Sequence, residues 1–133
     1  MSQIKATITQ INTVDNLNIV TFDFHGMMLK MMSLDLMSGV EVGKKVMLAV
    51  KPTHIAIAKD FTGMLSYSNQ IKAVVQSCEM GILLSSVKLL AVDVLLESII
   101  TSQSALIMDI KAGDEVTAMI KASEVSIVEL LDE

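Results

Sequence analysis

The 133-residue sequence has no arginine or tryptophan, one proline and one cysteine, and its only aromatic side chains are Phe22, Phe24, Phe61 and Tyr67. Without arginine, and with a formal net charge of −5, the chain lacks the cation density by which nucleic-acid binders neutralise phosphates. So few rings give bases no stacking platform. The lone Cys78 excludes an internal disulfide and fits a reducing compartment. No basic segment followed by an apolar core and a cleavage site opens the chain, so the expected location is cytoplasmic. The longest apolar region, residues 80–110, is interrupted by Lys88, Asp93 and Glu97 and falls short of the roughly 18 apolar residues of a membrane helix.

What the chain does have is apolar bulk. Hydrophobic residues make up 52% and charged residues only 19%, more apolar surface than two very small units can hide, which predicts a homo-oligomer. The 11 methionines, with doublets at Met27-Met28 and Met31-Met32, read as core filler. His25, His54 and Cys78 have no ligand spacing, so no metal site is expected. Neither a nucleophile elbow nor a glycine-rich phosphate loop is present, which argues against an enzyme.

The plan of the chain is a repeat. Val46 to Ile57 and Val116 to Ile127 each run strand, lysine, short turn, strand, led in by Gly43-Lys44-Lys45 and Gly113-Asp114-Glu115. Gln3-Ile4-Lys5-Ala6 recurs as Gln70-Ile71-Lys72-Ala73, 67 positions on, whereas Lys51 and Lys121 are 70 apart, so the second copy carries three extra residues. The copies fall at 1–60 and 70–133, with 61–69 as linker and opening segment. Alternating β-branched segments predict five strands per copy, with a short helix at 33–39 in the first and a longer one from Thr101 or Ser102 to Ile110 in the second. The fold class is therefore all-β: two tandem OB-type five-stranded β-barrels, each with one short helix.

Three segments of the second copy resemble the Mop domain (molbindin, TOBE). Val116 to Val125 is similar to its closing motif, Ser66-Tyr67-Ser68-Asn69-Gln70-Ile71-Lys72 to its opening Ser-Ala-Arg-Asn-Gln-Leu-Lys, and Thr101-Ser102-Gln103-Ser104 to its Thr-x-Glu-Ser helix start. The resemblance implies binding of molybdate or tungstate by hydrogen bonds at interfaces between barrels. It implies no metal coordinated by the protein, no catalysis and no cofactor, and a homo-oligomer, most simply a trimer, that engages neither nucleic acid nor membrane. Carried over by motif, the oxyanion-binding candidates are Ser66, Tyr67 through its backbone, Ser68, Asn69, Thr101, Ser104, Lys121, Ala122 through its backbone, and Ser123. In the first copy, which begins at Met1-Ser2-Gln3 and lacks the opening motif, Ser33, Lys51 and Thr53 match the later positions, and Ser2 is the remaining candidate. Ser68 departs from the family, standing where an arginine is usual. Hydroxyls, backbone N–H groups and a lysine ammonium are the fixed donors a tetrahedral dianion needs. The expected role is storage and homeostasis of the anion. The alternative is an anion-sensing module acting on a transporter ATPase or a transcription factor, and a third reading has the barrels mediate oligomerisation alone.

Overall fold

The computed structural model describes residues 1–132. The strands are β1 (Ser2–Val14), β2 (Leu17–Phe24), β3 (Met27–Ser33), β4 (Lys45–Val50), β5 (Ala56–Ala58), β6 (Asn69–Met80), β7 (Leu84–Ala91), β8 (Val94–Thr101), β9 (Glu115–Ile120) and β10 (Ser126–Leu131). One helix, α1 (Ser102–Ile107), and 3-10 turns at Pro52–His54 and Ala122–Glu124 complete the order. The repeat is reproduced strand by strand. A bulge between Ile8 and Gln10 in β1 recurs between Val75 and Ser77 in β6. Beside each bulge the same clasp forms: Gly43 N–H donates to Ile8 O, and Gly113 N–H to Val75 O, both at 2.8 Å. Both glycines have φ +95, a left-handed conformation that side chains rarely adopt.

The helix expected at 33–39 does not form. Ser33 Oγ donates to Asp35 O instead of accepting a backbone N–H as an N-cap would, and the segment runs as bends and a turn. This copy is the shorter by three residues, nearly one helical turn, and the second copy spends its extra residues on α1. There Thr101 Oγ1 accepts the Ser104 N–H at 3.2 Å as a regular cap.

The sheets do not follow the repeats. One has the order β10-β4-β1-β2-β3 and the other β5-β9-β6-β7-β8, so each half receives its fifth strand from the other copy. The lysine corners cause this exchange. Lys51 and Lys121 are extended, and the following 3-10 turns swing the chain off its own sheet before Ile55 and Val125 bury themselves. β5 then pairs Ala56 with Met119, and β10 pairs Ser126 with Ala49 at the equivalent register. Apolar residues from both curled sheets, among them Ile4, Phe22, Leu48, Ile71, Leu89 and Ile120, form a single core.

Side chains also seal the outer edges. β3 and β8 end their sheets with unpaired backbone groups, which invite association if left open. Asn69, only 1% exposed, closes β3 as a strand would: Oδ1 accepts the Lys30 N–H at 2.6 Å and Nδ2 donates to Lys30 O at 2.9 Å. At the equivalent place in the other half, Ser2 Oγ accepts the Glu97 N–H of β8 at 2.9 Å. Lys59, just past β5, fastens the exchanged strand to the second half. Its Nζ donates to Met108 O at 2.9 Å and Asp109 O at 2.7 Å and lies 3.0 Å from Asp114 Oδ2. Lys111 N–H, at 2.9 Å, and then Lys59 hold the Asp114 carboxyl below its ordinary range.

Two consequences can be measured. Asn69→Ala strands a donor and an acceptor on β3 and is expected to cost about 2 to 6 kcal/mol, at ~1 to 3 kcal/mol for each group left unsatisfied; a urea midpoint within error of the parent would show that water takes over the edge. A carboxyl with a depressed folded-state pKa contributes stability above the unfolded value, near 3.9, and loses it as pH falls through the folded value. Lys59→Met removes part of that depression, so acid unfolding followed by circular dichroism should begin at higher pH than in the parent.

Candidate functional site

The strand exchange decides which candidate residues meet. The 122–124 turn lies across β3 of the other half, and the 52–54 turn across β8. A cavity of about 320 Å³ therefore brings Ser123 and Ser126 together with Ser33 and Asp35, over Met31 and Ile127. A second hollow of about 230 Å³ joins Lys51 and His54 to Ser123, Glu124 and Ser126 beside Met1. Ser123 and Ser126 line both, so the two hollows share a wall. A larger cavity, about 460 Å³, lies beside Lys72, Glu115 and Thr117 and is lined by none of the candidates.

The remaining candidates are spread. Lys121 is exposed directly before its turn, Ala122 is half-buried within it, and Thr53 is exposed on the equivalent turn. Thr101 and Ser104 are exposed at the start of α1, their hydroxyls hydrogen-bonded to each other at 2.8 Å. The 52–54 turn packs on β8, the strand that ends at Thr101. Ser66 and Ser68 are exposed on the connector before β6, and the half-buried Tyr67 accepts the Gln70 amide at its carbonyl at 3.0 Å. Asn69 and Ser2 are buried, and their side chains are engaged with strand edges.

Of the polar residues in the hollows, Asp35, Glu124 and Ser126 are not among the sequence candidates, and His54 is weighed there only as a metal ligand. His54 Nδ1 and Glu124 Oε2 are 2.8 Å apart. These two residues are separated by 70 positions, the same interval as Lys51 and Lys121, so the repeat itself brings equivalent sites face to face. The interval is visible in the aligned copies, but the contact depends on the strand exchange. Elsewhere, burial pushes the Cys78 thiol up, away from the reactive thiolate. Among the described residues no group of three or more His, Cys, Asp or Glu side chains could hold a metal ion, and no helix is long and apolar enough to cross a membrane.

Residues 65–127 match the TOBE domain family. A search of curated proteins gave no match. Among solved structures, the chain is similar to the cytoplasmic molybdate-binding protein ModG, crystallised with molybdate bound, with a TM-score of 0.86 and 24% identity over 94% of this chain and 93% of that one. The match runs through both halves, so the tandem all-β fold is common to the two proteins. The segment that resembles the TOBE domain family, residues 65–127, is thus paired with a first half of the same architecture.

Proposed function

We propose that the protein binds molybdate or tungstate in the cytoplasm and stores the anion, without catalysing a reaction. The observation that carries this reading is the repeated corner, Lys51-Pro52-Thr53 and Lys121-Ala122-Ser123, set on 3-10 turns at the strand exchange. Ser33, Ser123 and Ser126 line the adjoining hollows. Similarity in fold to a molybdate-bound protein supports the choice of anion. In a chain of net charge −5, a dianion needs local cations and shielding from carboxylates. Lys51 and Lys121 supply the charge, and His54, at 2.8 Å from Glu124, engages one oxygen of a carboxylate that lines the smaller hollow.

The ligands are assigned to Ser123, Lys121 and the Ala122 backbone at one corner, with Lys51, Thr53 and Ser33 in the first copy's positions. Ser66, Tyr67, Ser68, Asn69, Thr101, Ser104 and Ser2 border sites completed between barrels, in a homo-oligomer that the resemblance makes a trimer. For Asn69 and Ser2 the contribution is to hold the backbone, since their side chains already have partners.

Thermal unfolding with molybdate, tungstate, sulfate and phosphate tests the reading. A ligand of the folded state at 100 times its Kd stabilises by about 2.7 kcal/mol, a rise of several degrees in Tm. Absence of a shift with both molybdate and tungstate would overturn the proposal. Lys121→Ala, at an exposed position, should leave the fold intact while weakening anion binding by about 1.5 to 3 kcal/mol in a calorimetric titration, the range for a hydrogen bond to a charged group.

A further inference from the structure

The turn between β6 and β7 displays Ile82 and Leu83 at 97% and 79% exposure, with Leu84 at 57% behind them. Such exposure is unusual for a turn, and the equivalent turn of the first half is Asp15-Asn16, the polar pair expected there. The apolar turn is not a loose loop. Ser102 N–H donates to Leu83 O at 2.8 Å, Ser102 Oγ to Gly81 O at 2.8 Å, and Gly81 N–H to Leu84 O at 3.0 Å. A Cβ on Gly81 would strike the Leu84 carbonyl oxygen, so this geometry requires glycine. These bonds lock the turn onto the first turn of α1, whose far end exposes Leu106 at 70% and Ile107 at 77%.

We propose that this end of the second half is the surface on which another copy of this chain docks. The inference rests on the oligomer in the functional reading above and names the face that forms it. Five aliphatic side chains this exposed present roughly 400 to 500 Å² of apolar surface, comparable to the largest and often functional patch on a monomer. That is about half of one side of a standard interface, ~800 Å², leaving a polar rim to supply the rest. Charge selects the occupant. Residues 80–87 and 98–108 contain no charged side chain, so copies that repel through a net −5 each meet here at the lowest electrostatic cost. The turn is rigid before contact, so association costs little ordering entropy.

Light scattering on the purified full chain, with and without molybdate, tests this. Wild type should run as a multiple of 14.4 kDa. Ile82→Asp and, separately, Leu106→Asp should shift it toward the single-chain mass, weakening association at least tenfold. Circular dichroism should be unchanged, because neither side chain is buried. Val42→Asp, at an exposed apolar position of the first half, should leave the assembly intact. A wild-type assembly that survives both tip substitutions overturns the docking surface alone and leaves the anion reading standing. A monomeric wild type overturns the surface and the interface sites together, while a molybdate-induced rise in its Tm would still uphold binding.

Discussion

The exchange of fifth strands is the constraint on which the rest of the molecule depends. Each four-stranded half ends at β4 or β9 with an edge that must find a partner, and the lysine corner carries a half's own fifth strand away from it. The only strand positioned to fill that edge belongs to the other half. Neither half can then be complete alone, and the two share one apolar core in place of two marginal ones. Lys59, gripping the carbonyls of Met108 and Asp109 and the carboxylate of Asp114, makes the crossing specific to its destination.

Sealing of the opposite edges follows from the same internal symmetry. Once the halves interlock, the first residue of β6 lies against β3 and the first residue of β1 against β8. Asn69 carries one donor and one acceptor and replaces a missing strand at Lys30, whereas Ser2 answers a single N–H. The better seal is therefore in the second copy's opening motif. That gives Asn69 a structural reason to be there, separate from any contact with a ligand.

Interlocking also places charge. The interlock brings His54 and Glu124, equivalent positions of the two copies, to 2.8 Å, and it builds hollows in which serines from β3, the second corner and β10 converge. A single copy could not assemble this set, because its corner turn always lies on the other half's third strand.

The sequence alone carries the repeat, the all-β class, the five strands of each copy, the corner lysines with their turns, and the resemblance of residues 66–72, 101–104 and 116–125 to the Mop or TOBE domain. These are local or periodic facts: alternation fixes strands, and glycine at 43 and 113 fixes the turns where φ must be positive. Tertiary structure alone decided that 33–39 is not a helix, since a potential N-cap serine can instead donate within its own turn. It alone decided that Ala56–Ala58 belongs to the second sheet and Ser126–Leu131 to the first, because strand pairing is a non-local choice between edges of equal chemistry. For the same reason Ser33 meets Ser123, His54 meets Glu124 and Asn69 faces a strand edge, and no spacing along the chain encodes which half's edge a side chain will face.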